Sequence, residues 1–246
     1  MYTIENERIL YQSGACLAVN KLPGEASQGA GAGMIDLPAV LARQFGLDAR
    51  REGRPGTVRQ PEMPQAVQRV DVPVSGCCLF ACTRESLSCL NAAFARGDCD
   101  KTYWAVTEMP PPSAGIPEEG ALVHWIQRGR GNKSIACDEE GPERKKAVLR
   151  YRILGEGRRY LFMEIKLLTG RGHQIRAQLA RLGLHIKGDI KYGARRSEKG
   201  GGIRLHAASL AFPDPQRPGE RVLVSALPHR MDPLWAALVS LAGAKS

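Results

Sequence analysis

The sequence has 246 residues, of which 43% are hydrophobic and 24% are charged, and its net charge is +10. This composition is that of an ordinary globular protein and excludes a disordered or collagen-like chain. No apolar run approaches the length of a membrane-spanning helix, about 18 residues, and residues 1–10 lack the apolar stretch of a secretory signal. We therefore expect a cytoplasmic protein without membrane contact, in which the seven cysteines are buried, reduced thiols.

The chain opens with a predicted hairpin. Two strand-like runs, 8–12 and 16–21, are separated by a Ser-Gly turn. A Gly/Ala-rich stretch follows, and then a helix is predicted over 37–45. Residues 48–64 hold four arginines, two glycines and three prolines, which predicts a flexible insertion or a loop that becomes ordered on binding.

The next segments predict a buried strand and a capped helix. Residues 77–82 form an apolar run of strand length, and Thr83 is a plausible N-cap for a helix that ends at Gly97. Leu87, Leu90 and Phe94 recur at helical spacing, so we expect them on the buried face.

The second half of the chain is richer in strands. Helices are predicted over 173–182 and 231–241. Strands are predicted over 101–107, 122–127, 147–154, 160–168, 203–212 and 222–226. Strand runs broken by single helices favour an α+β fold: one domain, residues 1–246, around a mixed, mainly antiparallel sheet with flanking helices.

Positive charge is concentrated in one third of the chain. Residues 125–200 contain 19 basic and 8 acidic residues, a surplus of 11, whereas the remaining residues contain 16 basic and 17 acidic ones. A clustered surplus indicates a polyanionic partner, first of all nucleic acid. The alternative is a solvated basic face without a partner.

Familiar catalytic motifs are missing. The sequence contains no GxxxxGK[ST], no GxGxxG after a strand, no HExxH and no GxSxG, which weighs against nucleotide-driven, dinucleotide-dependent, zinc-hydrolytic and lipase-type functions. An enzyme that cuts or joins nucleotide bonds through a metal ion would need a ligand cluster, and the sequence shows none.

Three polar groups remain as candidates for chemistry. Asp71, in Arg69-Val70-Asp71, precedes a turn and an apolar strand, where it is either an ionised nucleophile or an ordinary turn residue. Tyr103 lies in a predicted strand, where a tyrosine is most often a core residue. Arg171 lies at a helix start, where it could bind phosphate together with the free N–H groups or simply belong to a basic cap.

Together these residues resemble the RNA pseudouridine synthases of the RluA type. The resemblance runs from about residue 8 to residue 226. It rests on Ile9-Leu10-Tyr11, Ala18-Val19-Asn20-Lys21-Leu22-Pro23-Gly24, Arg69-Val70-Asp71 with Ser75-Gly76, Lys101-Thr102-Tyr103, Gly170-Arg171-Gly172-His173-Gln174-Ile175-Arg176, and Gly188-Asp189 with Tyr192-Gly193.

The resemblance implies the pseudouridine synthase fold and an isomerase that converts uridine to pseudouridine in ribosomal or transfer RNA, without a metal or an organic cofactor. It implies that Asp71 is the catalytic carboxylate, Tyr103 the active-site tyrosine and Arg176 the arginine that pairs with the aspartate. We expect a monomer. We expect contacts with RNA from Arg69, Arg171, His173 and Gln174.

Several positions depart from the family pattern. Gln68 and Val70 replace a histidine and a leucine, Gly172 replaces a threonine or serine, and Ala177-Gln178 replaces Val-His. No S4-type module is expected, so RNA selection would rest on the domain itself and on the arginine-rich stretch 43–59. The main alternative is a catalytically silent RNA-binding protein on the same scaffold.

Overall fold

The computed structural model describes residues 2–47, 64–111, 113 and 115–244. Apart from residue 64, the predicted insertion at 48–64 lies outside the described residues. The described helices are α1 Leu37–Gln44, α2 Arg84–Arg96, α3 Gln174–Arg181 and α4 Pro233–Ala244. The described strands are β1 Ile9–Gln12, β2 Cys16–Lys21, β3 Glu25–Ala26, β4 Ile35–Asp36, β5 Gln65–Ala66, β6 Ser75–Ala81, β7 Asp100–Glu108, β8 Glu119–Arg128, β9 Ser134–Cys137, β10 Lys145–Glu156, β11 Tyr160–Leu167, β12 Leu205–Pro213 and β13 Arg221–Ser225.

These elements form two compact units, and the first consists of residues up to Cys99 together with Ser209–Leu227. In this unit β1 pairs antiparallel with β2, β2 with β6, and β13 with the second half of β12, whereas β3 and β4 pair in parallel. The predicted hairpin is confirmed, and its turn is closed by Ser13, whose Oγ accepts the backbone N–H groups of Ala15 and Cys16. Every residue of β6 is buried.

Helix α2 begins and ends where the sequence predicts. Thr83 and Ser86 form a capping box, in which each side chain accepts the backbone N–H of the other residue. Gly97 ends the helix in the left-handed conformation, with φ of 84°. Leu90 is fully buried, whereas Leu87 and Phe94 are half-buried.

Three buried thiols of the first unit lie on two paired strands, whereas Cys89 is exposed, so the prediction that all seven cysteines are buried is wrong. Cys16 belongs to β2, and Cys77 and Cys78 are adjacent in β6. Burial raises the pKa of Cys16 to about 11 and the pKa of Cys77 and Cys78 to about 12. All three are therefore protonated at neutral pH.

The second unit consists of Asp100–Ala208 and the residues from Pro228 onward. Its strand order is β12-β7-β11-β10-β8-β9, in which β12 contributes its first half. The pairs β7–β11, β11–β10, β10–β8 and β8–β9 are antiparallel, so the predicted hairpin of β10 and β11 is confirmed. Strand β9 was not predicted. The α+β class with mainly antiparallel strands is confirmed, and the single domain stays a prediction.

Two apolar clusters attach the helices of the second unit to its strands. Helix α4 places Trp235 and Leu238 against Val106, Leu154 and Phe162 of β7, β10 and β11. Helix α3 contributes Ala177 to a second cluster, whose other buried members are Ile126, Ala136, Ala147 and Tyr192. This second cluster fixes the helix that carries Arg176. Among the described residues, no helix has both the length and the apolarity needed to cross a membrane.

Candidate active site

The segment that carries Asp71 is anchored on both sides. Before it, Val70 is buried, and its backbone N–H and C=O both bond to Oγ of Ser27 at 3.2 Å. After it, the backbone N–H of Val74 donates to the carbonyl oxygen of Asp71 at 2.9 Å and closes a turn. The side chain of Asp71 is half-buried and that of Arg69 is exposed. A backbone fixed on both sides with polar side chains at its surface is suited to present a carboxylate to a ligand.

The side chain of a buried lysine is hydrogen-bonded to the same turn. Lys21 is 0% exposed, and its Nζ donates to the carbonyl oxygens of Leu22 (2.9 Å), Val72 (3.1 Å) and Val74 (2.5 Å). Burial lowers the pKa of Lys21 to about 8, although the negative charges of Glu25 and Asp71 oppose this effect. Lys21 belongs to the family-like motif, but the sequence alone gave it no role.

A buried ion pair lies next to this lysine. Glu25 accepts two hydrogen bonds of 2.7 Å from Nη2 of Arg8, and both side chains are about 1% exposed. Glu25 also accepts the backbone N–H of Leu22 at 2.6 Å. The pair therefore fixes the chain that leads out of β2, directly after Lys21.

The turn before α3 is organised by Gln174. This side chain is 2% exposed; its Oε1 accepts from Oγ1 of Thr169 (2.8 Å) and from the backbone N–H of Arg171 (3.0 Å), and its Nε2 donates to Val148 O. The side chain of Gln174 therefore already binds the backbone N–H of Arg171, to which a phosphate would otherwise bind. The amide is thus used within the protein, and the contact of Gln174 with RNA stays a prediction.

The other two predicted RNA contacts of this turn lie closer to solvent. Arg171 is exposed, and its Nε donates to the carbonyl oxygen of Lys146 at 3.0 Å. His173 is half-buried and adopts the left-handed conformation, with φ of 52°, which is uncommon for a residue other than glycine. Its Nδ1 lies 2.9 Å from the hydroxyl of Tyr192.

Arg176 points inward from α3 and is held by two side chains. Asp189 binds it through two atoms, with Oδ2 at 2.7 Å from Nε and Oδ1 at 2.8 Å from Nη2. The ring of Tyr192 lies against the guanidinium, its centroid 4.7 Å from Cζ. Arg176 is 5% exposed and Asp189 2%. Sequence reasoning assigned no role to Asp189 and Tyr192, although both belong to the quoted motif.

Three of the positions that depart from the family pattern make local hydrogen bonds. Gln68 donates to the carbonyl oxygen of Cys77 at 3.1 Å, and the carbonyl of Gly172 accepts from Oγ of Ser134 at 2.7 Å. Gln178 is fully buried and donates to Leu122 O, and its Nε2 lies 3.0 Å from Nδ1 of His124. Burial lowers the pKa of His124, so the neutral ring is favoured and its Nδ1 can accept a hydrogen bond from this amide.

Tyr103 lies in β7, opposite Ile165 of β11, and is 7% exposed. The structure thus places Tyr103 and Arg176 in the second unit and Asp71 in the first. The pairing of Arg176 with Asp71 stays a prediction. Among the described residues, no three His, Cys, Asp or Glu side chains come together as a possible metal site.

A family model described as RNA pseudouridylate synthase matches residues 15–181, a range that includes Asp71, Tyr103 and Arg176. The chain belongs to the RNA pseudouridylate synthase family. The RluA-type resemblance is thereby confirmed at the level of the family.

Relatives within this synthase family differ in how much of their length the chain spans. A ribosomal large subunit pseudouridine synthase D from Zymomonas mobilis is 28% identical over 84% of this chain, which spans 65% of that relative. A tRNA pseudouridine synthase C from Vibrio parahaemolyticus is 28% identical over 94% of this chain, which spans 92% of it. The first curated relatives that the chain matches are spanned over 58 to 66% of their length.

A solved structure supports the synthase fold independently of close sequence similarity. Human RNA pseudouridylate synthase domain containing 4 has a TM-score of 0.68 with 20% identity, covering 96% of this chain and 92% of that one. At this identity the likeness concerns the fold.

Proposed function

We propose that this protein isomerises uridine to pseudouridine in ribosomal or transfer RNA, with Asp71 as the catalytic carboxylate. In this reaction the N1–C1′ bond of the nucleotide breaks, the uracil rotates, and a C5–C1′ bond forms, while C5 loses its proton and N1 gains one. The observation that carries the proposal is the family match over 15–181, which contains all three expected catalytic residues.

The roles follow from the chemistry of the side chains. Asp71 must be anionic to attack the sugar or to remove a ribose proton, and a paired Arg176 favours the anion. Tyr103 stacks on the uracil and helps to move the C5 proton. Because a target base inside a stacked helix is inaccessible, it has to be flipped out, and the exposed Arg69 can fill the space that it leaves.

RNA binding outside the reacting nucleotide is assigned to the basic segment. Residues 125–200 lie in the second unit, and many of their basic side chains are exposed, among them Arg128, Arg158 and Arg171. Such side chains bind phosphates and position the RNA without reading its sequence. The relatives named for ribosomal and transfer RNA make both classes candidate substrates. The seven cysteines are thiols, which fits the reducing cytoplasm as the place of this activity.

The test is release of tritium from RNA that carries the label at C5 of uridine. Unmodified ribosomal and transfer RNA pools serve as substrates, with Asp71→Asn as the matched control, because Asn keeps the size of the side chain and removes its charge. We expect release by the wild-type chain in the presence of EDTA and none by Asp71→Asn, with RNA affinities that agree within about twofold. Equal loss of binding would assign Asp71 a structural role.

The same experiment addresses the alternative of a silent RNA-binding protein. Tight binding of RNA without tritium release, from either pool and from partly assembled ribosomal subunits, would support that alternative. Release from only one pool identifies the class of RNA that holds the target.

A further inference from the structure

Asp189 and Tyr192 lie in one short turn, and both contact the guanidinium of Arg176. Asp189 is the N-cap of the 3-10 turn Ile190–Tyr192, and the backbone N–H of Tyr192 donates to Asp189 O at 3.0 Å. Residues three apart eclipse one another in a 3-10 turn, so the carboxylate and the ring lie on the same face. Gly188 and Gly193, with φ of 92° and 98°, stand on either side of this segment.

We propose that Asp189 and Tyr192 are positioning residues that set the orientation of Arg176 for the isomerisation. This inference rests on the proposed function. The guanidinium is a planar fork, and a carboxylate bound to Nε and Nη2 fixes the rotation of that plane. The ring of Tyr192 fixes its tilt. The edge that bears Nη1 is thereby directed away from Asp189.

The ring of Tyr192 is itself held by its hydroxyl group. The backbone N–H of Ser134 donates to this hydroxyl at 2.8 Å, and Nδ1 of His173 lies 2.9 Å from it. The turn before α3 and strand β9 therefore both fix the ring that packs against Arg176.

We expect the ion pair of Asp189 and Arg176 to contribute little to the stability of the fold. Both Asp189 and Arg176 are almost fully buried, and the cost of removing two charges from water offsets most of their attraction. What a buried two-point ion pair provides is a defined orientation, and a misplacement of about 1 Å can cost about 100-fold in rate.

The first test compares rate constants for tritium release. We expect Asp189→Asn to lower kcat about 10- to 100-fold while KM for RNA stays within about twofold, because orientation rather than binding is lost. Tyr192→Phe keeps the ring but removes the hydroxyl that holds it, so its kcat should fall between that of wild type and that of Tyr192→Leu, which should fall as Asp189→Asn does. A wild-type kcat in Tyr192→Leu would overturn the role of Tyr192.

The second test is a double-mutant cycle with Arg176→Lys. A residue that acts only through Arg176 adds nothing once Arg176 is replaced, so the double variant should be no slower than Arg176→Lys alone. Multiplied losses would show that Asp189 acts independently and would overturn the assignment. If Asp189→Asn does not fold, the same cycle with Tyr192→Leu decides.

The two proposals fail in different ways. Absence of release from the wild-type chain overturns the proposed function and this assignment with it. Release by the wild-type chain, with kcat unchanged in Asp189→Asn and in Tyr192→Leu, overturns this assignment alone.

Discussion

The ammonium group of Lys21 donates a hydrogen bond of 2.5 Å to the carbonyl oxygen of Val74, 53 residues further along the chain. With its bonds to Leu22 O and Val72 O, it connects the end of β2 to the turn that follows Asp71. The lysine is charged at neutral pH at the expense of burying that charge, which is why its pKa is lowered to about 8.

Lys21 should make stability depend on pH in the alkaline range. Its pKa falls from 10.5 in the unfolded chain to about 8 in the folded protein, so between these values the unfolded state binds more protons. The free energy of unfolding should therefore rise with pH from about 8 to about 10.5, by roughly 3 kcal/mol from this group. We expect Lys21→Met to remove this rise, measured by urea unfolding at a series of pH values.

The comparison uses the difference between the two proteins, because tyrosines and thiols titrate in both. Parallel curves for wild type and Lys21→Met would contradict the buried, titrating lysine.

Arg158 and Arg159 should contribute to RNA binding through phosphates alone. Both are exposed at the turn between β10 and β11. Changing both to Ala should weaken binding of all RNAs alike and reduce the slope of log affinity against log salt by about 1 to 2. The matched control is the double variant Arg84→Ala with Arg96→Ala on α2, which removes the same charge outside the basic segment. Loss of affinity for one sequence only would mean that Arg158 and Arg159 read bases.

Gly193 should tolerate no side chain. Its φ is 98°, and an added Cβ would lie 2.7 Å from Cε1 of His185, whose Nδ1 lies 2.7 Å from Tyr192 O. We expect Gly193→Ala to lower the free energy of unfolding by about 1–3 kcal/mol, through backbone strain and displacement of the His185 ring. Gly243→Ala, in open space on α4, should be neutral or stabilising by up to about 1 kcal/mol. Equal effects of the two changes in urea unfolding would refute this steric argument.

Local signals predicted the elements that depend on local interactions. Helix α2 begins after Thr83 and ends before Gly97, and the sequence predicts both ends because a capping hydroxyl and a left-handed glycine act within one turn of the chain. Strand β9 is defined by its pairing with β8, a contact that its own four residues do not predict.

In the candidate site, too, local motifs predicted some features, whereas contacts between distant residues could not be predicted. The motifs indicated Asp71, Tyr103 and Arg176 as residues of interest, and their catalytic roles stay predictions. The sequence could not show that Gln174 is buried, since its amide is satisfied by Val148, 26 residues away. Nor could it show that Asp189 binds Arg176, because the spacing of 13 residues becomes a contact only after the chain has folded.

The reactivity of Cys16, Cys77 and Cys78 depends on whether strands β2 and β6 are paired. A thiolate is the reactive form of cysteine, and burial holds these three sulfur atoms in the protonated form. While β2 and β6 stay paired, oxidants and alkylating reagents find neither access nor a nucleophile there. When the strands separate, the three sulfur atoms become accessible and the pKa of each thiol falls. Their reaction with an alkylating reagent therefore reports that β2 and β6 have come apart.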